Sequence, residues 1–199
     1  MKIGLTGGIA CGKSTVAAML KQRGAMLVDA DQVAREVVLP GEPALSEVTA
    51  VFGQAVINPD GSLNRAKLGE IVFADKDKLR QLEGILHPAI RKRMWTIIDA
   101  AEQDNPGRLI AADIPLLYET GQQHLYDGIL VVYIPRELQL KRLLQRNPDL
   151  AEEQARQRID AQMDIGQKKE LADWVIDNSG TLDQTEQQVN ALWTEWGLR

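Results

Sequence analysis

A short apolar run, Met1-Lys2-Ile3-Gly4-Leu5-Thr6, leads straight into Gly7-Gly8-Ile9-Ala10-Cys11-Gly12-Lys13-Ser14-Thr15, and helix-forming residues follow through Gln22. The middle stretch reads G-x-x-x-x-G-K-S, a phosphate-loop pattern that carries meaning only between a buried strand and a helix, and it has that setting here. A glycine-rich turn lets backbone N–H groups converge on a phosphate, and the helix opening near Lys13 adds its positive end and unpaired donors. The residues expected to touch a nucleotide are therefore Gly8, Ile9, Ala10, Cys11, Gly12, Lys13, Ser14 and Thr15. Lys13 reaches the β- and γ-phosphates as a point charge, and the Ser14 hydroxyl is the expected ligand of Mg²⁺. The fold implied is α/β, a P-loop NTPase-type parallel sheet flanked by helices.

Cys11 is the single cysteine of 199 residues, so no internal disulfide forms and a reducing compartment fits. It reads as a small loop filler, with a thiol activated by the helix terminus as the alternative. No basic-then-apolar leader opens the sequence and no apolar run approaches membrane-spanning length, so a cytoplasmic protein without a membrane partner is expected. A formal charge of −5 makes a nucleic-acid partner unexpected.

Residues 25–29 read as a second strand that delivers Asp29-Ala30-Asp31 at its carboxyl end, the edge where ligands bind in open α/β sheets. Asp31 is the candidate carboxylate for orienting or deprotonating an acceptor hydroxyl; its alternative is to cap a helix over 32–38. Pro40-Gly41-Glu42-Pro43 breaks the chain. Beyond it, helical periodicity over 44–52, 65–73 and 76–103 predicts an all-helical lobe, residues 40–105, inserted into a core of 1–39 and 106–199. Within the lobe, Arg65 is a candidate for an anionic group of the acceptor. His87, a second candidate, precedes Pro88, a pair that predicts a kink or helix boundary.

Residues 108–113 read as a third strand ending in Asp113, an acid placed to support a metal. Pro115, Leu116 and Leu117 would then form an apolar wall for the acceptor, with Glu119 meeting a polar group. A fourth, wholly apolar strand over 128–134 precedes a helix carrying Arg142 and Arg146, four residues apart on one face and suited to clamp a transferring phosphoryl group. A last strand ends at Asp177; the turn at Asn178 would lie near the nucleotide. Leu182, Val189, Leu192, Trp193 and Trp196 give a final helix its packing stripe.

Taken in order, IGLTGGIACGKST, VDADQVAREV, LNRAKLGEIVF, LHPAI, DIPLLYE, QLKRLLQR, RIDAQM and ADWVIDNSG resemble the dephospho-coenzyme A kinases, in the nucleoside-monophosphate-kinase-like group of P-loop enzymes. The resemblance implies ATP-dependent phosphorylation of the ribose 3′-hydroxyl of dephospho-coenzyme A, with Mg²⁺, by a monomer or weak homo-oligomer. It implies a nucleotide core, a helical substrate lobe and a helical lid, about 137–170, with Asp31 as the catalytic carboxylate and Arg142 and Arg146 as lid arginines. Ala10 and Cys11 stand where the family usually has glycine and often serine. The alternatives are another small-molecule or nucleotide kinase of this fold, and a nucleotide-binding switch or interaction module. The guanine-reading N-K-x-D stretch that a GTPase switch would want does not occur.

Overall fold

A computed structural model describes residues 1–198. Five strands form one sheet in the order β2-β3-β1-β4-β5: β1 (Lys2–Gly7), β2 (Met26–Asp29), β3 (Ile110–Asp113), β4 (Gly128–Tyr133) and β5 (Trp174–Asp177). β1 lies between β3 and β4 with parallel register, Ile3 opposite Ala111 and Gly128, and Leu5 opposite Asp113 and Leu130. Strands covered on both faces should be apolar throughout, and Ile3, Leu5, Ala111, Leu130, Val131 and Val132 are all fully buried. At Gly4 on β1 a Cβ would meet the terminal methyls of Leu117 and Ile129, which would have to shift to admit it.

Around the sheet stand α1 (Lys13–Gln22), α6 (Arg136–Arg146), α7 (Glu152–Asp160), α8 (Ile165–Leu171) and α9 (Leu182–Glu195). Helix α8 was not expected from the sequence. Leu182, expected in the packing stripe of α9, is exposed; Val189 carries the burial instead, and Trp196 meets Trp174 edge-on with ring centroids 5.1 Å apart.

The chain divides into two compact units, residues 1–28 with the chain from Ala101 onward, and residues 29–100. The second is helical: α2 (Ala30–Glu36), α3 (Pro43–Phe52), α4 (Arg65–Phe73) and most of α5 (Lys76–Asp104). Its core gathers Val48, Val56, Leu68, Val72 and Leu82. The division thus falls nearer 28/29 and 100/101 than 39/40 and 105/106. The last turn of α5 counts with the sheet, where Glu102 pairs with Lys2 at 3.0 Å.

Two local expectations are corrected. Pro88 neither ends nor bounds a helix; α5 runs unbroken through it. Proline removes one N–H and crowds the carbonyl four residues back, here that of the exposed Gly84, and in a helix of 29 residues the remaining hydrogen bonds carry the element past it. Asp31 does not cap α2. Asp29 does, its carboxylate accepting from the N–H groups of Asp31 (2.8 Å) and Gln32 (3.1 Å).

Candidate active site

The loop between β1 and α1 turns through two left-handed residues, Ala10 at φ +62° and Gly12 at φ +82°. Gly12 precedes the helix and offers no side-chain cap, and the first turn of α1 holds no acidic residue. The positive end of α1 is therefore left open to an anion. Lys13, at the head of that helix, pairs with Asp113 at the end of β3, and both side chains are mostly shielded from solvent. Ser14, the next residue of the helix, is exposed.

Side-chain amides from three remote segments hold the loop's shape. Gln139, on the buried face of α6, donates its Nε2 to the Ile9 carbonyl at 3.0 Å. Gln162, just past α7, accepts the Ile9 N–H at 2.8 Å. Asn178, after β5, donates its Nδ2 to the Cys11 carbonyl at 2.8 Å, while its own Oδ1 accepts from the Thr185 hydroxyl at 2.8 Å. The glycines make room for these amides. A Cβ on Gly8 would collide with Gln139, and one on Gly12 with Asn178. Asn178 is thus buried and committed to bracing the loop from behind. Ile9 and Ala10 also pack against the cluster of Leu143, Ala155 and Ile159 formed by α6 and α7.

Cys11 is fully buried, and burial pushes its thiol up to about 11, against the pull of hydrogen bonds from Gly8 and Ile134. The loop-filling reading of this residue therefore stands over the activated thiol.

The other candidates are placed as follows. Arg142 on α6 is half-buried and its charge reaches Cys11; Arg146, in the last turn, is exposed. Neither has a carboxylate partner among the described residues. Asp31 is exposed in the first turn of α2, directly after the carboxyl end of β2. Arg65 opens α4 and His87 lies midway along α5; both are exposed. In the same helical unit a cleft of about 550 Å³ lies between α3 and α5, lined by Pro43, Ala44, Ile85, Pro88, Lys92 and Arg93 among others.

The apolar wall after β3 is corrected in part. Leu117 and Tyr118 are buried in the core, and only Leu116, 43% exposed, faces solvent. The Pro115 carbonyl accepts from the hydroxyl of Thr6 and the ammonium of Lys168, both at 3.1 Å. Glu119 is engaged by the chain's own groups, by Lys168 at 2.8 Å and by the Met163 N–H at 2.9 Å.

Gln139, Gln162 and Lys168 were not singled out in the sequence. Gln139 left one trace, a polar residue four before the buried Leu143 on the apolar stripe of α6. Gln162 and Lys168 left none, since their partners lie far away in the chain.

The donor set fits Mg²⁺. One hydroxyl and one carboxylate are hard oxygen donors, and among the described residues no three His, Cys, Asp or Glu gather to cage an ion. Such a sparse set suits a cation that keeps waters and takes substrate phosphate oxygens.

Comparison with known proteins places this geometry. A family model for dephospho-CoA kinase matches residues 1–184. A dephospho-CoA kinase of Bacillus licheniformis is 50% identical over 194 residues, covering 98% of this chain and 96% of that one. Among solved structures, TT1252 of Thermus thermophilus aligns with a TM-score of 0.80 at 34% identity, covering 98% of this chain and 97% of that one. The dephospho-CoA kinase of Campylobacter jejuni aligns at 0.75 and 31%, with the same coverage. A match of this length, on a chain whose phosphate loop is built and braced as described, means that the protein belongs to the dephospho-CoA kinase family.

Proposed function

We propose that the chain transfers the γ-phosphoryl group of ATP to the ribose 3′-hydroxyl of dephospho-CoA, giving ADP and coenzyme A, in the cytoplasm. The observation that carries this reading is the open, uncapped N-terminus of α1 with Lys13 at its head and Asp113 facing it. That arrangement presents converging donors and one cation to a polyphosphate.

Residues 8–15 would bind the triphosphate, with Lys13 on its outer phosphates and Asn178 holding the Cys11 carbonyl away from the anion. Ser14, with Asp113 acting through water, would hold Mg²⁺, which supplies positive charge to the phosphates. The bond from Pγ to the ADP oxygen breaks as the bond to the 3′-oxygen forms, and the hydroxyl proton passes to Asp31 or to water. Arg142 and Arg146, lacking carboxylate partners, are available to neutralise charge on the transferring group. The cleft between α3 and α5 has apolar walls, two cations, Lys92 and Arg93, and two carboxylates, Glu42 and Glu47. Its apolar walls suit the apolar arm of the acceptor, with Arg65 and His87 as further contacts on the helical unit; Pro115 and Leu116 are the acceptor contacts proposed on the sheet unit.

A coupled ADP-release assay with ATP tests the reading against a panel of acceptors. Turnover with dephospho-CoA, and little with AMP or shikimate, is expected. Turnover with AMP or shikimate and none with dephospho-CoA would overturn it.

A further inference from the structure

Lys168 on α8 is the only lysine or arginine that is buried among the described residues, and its side chain is wholly shielded from solvent. A buried ammonium is costly unless paired, and an apolar residue of similar size would often serve stability as well. What it holds is therefore informative. Its ammonium binds the Pro115 carbonyl at 3.1 Å and the Glu119 carboxylate at 2.8 Å. Each acceptor has a second donor. Pro115 takes the hydroxyl of Thr6, immediately before the phosphate loop, and Glu119 takes the N–H of Met163. Next to Met163 is Gln162, whose amide oxygen accepts the Ile9 N–H inside the loop.

These contacts close a circuit. It leaves the chain at Thr6, crosses Pro115, Lys168, Glu119 and the 162–163 segment, and returns to the loop at Ile9. Only Gly7 and Gly8 lie between its two ends in sequence. The leading half of the loop is thus gripped at both ends, in a chain that must also hold Ala10 in a strained conformation. The positive charge of Lys168 also reaches Cys11.

We propose that Lys168 and Glu119 are positioning residues for nucleotide binding: their ion pair anchors the 162–163 segment so that Gln162 fixes the Ile9 peptide, and the loop keeps the shape that receives a triphosphate tail. This rests on the reading that the loop takes ATP. Glu119 then acts through Gln162 rather than by touching the acceptor.

The test is isothermal titration of the full chain with ATP and, separately, with dephospho-CoA, accompanied by thermal melts. Gln162→Leu and Lys168→Met should each weaken ATP binding about tenfold, the net worth of one good hydrogen bond, with dephospho-CoA affinity unchanged. Glu119→Gln, which keeps an acceptor for Met163, should lose less. The double variant Lys168→Met with Glu119→Leu should be no worse for ATP than Lys168→Met alone, because both break the same circuit. A merely structural role would lower the melting temperature and leave ATP affinity as it was in the folded protein. Should Lys168→Met fail to fold, Gln162→Leu, at a half-buried position, decides alone. A wild-type chain that does not bind ATP overturns both the function and the circuit. A wild type that binds, beside a folded Gln162→Leu that binds equally well, overturns the circuit only.

Discussion

The phosphate loop and the helical unit solve the same problem, the unpaired backbone group, by opposite means. In the helical unit the answer is local. Asp29, Asn64 and Asp75 each cap the helix that follows by accepting N–H bonds from residues two or three ahead. In the phosphate loop the answer comes from afar. Gln139, Gln162 and Asn178 reach the loop's peptides across 130, 153 and 167 residues of chain. A local cap forms with its helix and stabilises only that. A remote brace forms only when the whole sheet unit has closed, so the loop's geometry reports on the completed fold.

That contrast can be broken deliberately. The largest expected effect is at the loop's charge: Lys13→Met should lower kcat by about 10²–10³-fold, the usual cost of removing one preorganised charge from a transition state, as read in the ADP-release assay. Asp31→Asn, on the helical side, should lower kcat by about 10²-fold, within the range for general-base catalysis, while ATP affinity measured by titration stays near that of the wild type. Near-normal turnover would remove Asp31 from the chemistry.

Smaller effects sharpen the local–remote distinction. Asn178→Leu leaves the Cys11 carbonyl without its donor and the Thr185 hydroxyl without one of its acceptors. It should cost about 1–3 kcal/mol in denaturant unfolding and weaken ATP binding as well. Asp29→Ala should cost about 1 kcal/mol through the lost cap and leave ATP binding alone. Equal effects of the two on ATP binding would erase the distinction. Smallest is Ala10→Gly, which should gain about 0.5–1 kcal/mol by relieving a left-handed alanine.

Titration of Cys11 adds a pH signature. Its thiol is raised from 9.0 to about 11 in the folded chain, chiefly by burial. Between these values the unfolded chain has lost the proton and the folded chain keeps it. Stability should be fully present below pH 9, fall as the pH rises toward 11, and fall less in Cys11→Ala. Alkylation of the native thiol at pH 8 should accordingly be slow.

What the sequence revealed follows the same line. The loop, Lys13, and a helix over 65–73 were legible because their causes are adjacent in the chain: glycine spacing, a strand before, apolar residues at helical spacing. Strand ends were legible to within two residues, since apolar runs mark them. The helix cap offered as Asp31's alternative role falls to Asp29 instead, because two candidate caps lie two residues apart and only the backbone angle at the junction selects one. Pro88 misled because the bias of proline against helix is local, while α5 is 29 residues long and continues through it. The bracing amides and the Lys168–Glu119 pair were hidden, for no periodicity records which distant carbonyl a side chain will meet.

The Lys13–Asp113 pair has a consequence for ligands. An incoming polyphosphate meets an ammonium that already has an anionic neighbour, so binding is an exchange of partners rather than capture by an idle charge. The more strongly charged tail displaces the carboxylate more readily, which favours triphosphate over diphosphate at this position. A neutral mimic of the tail would leave the incumbent in place, and inhibitors built without charge should therefore bind poorly here however well they fit the loop.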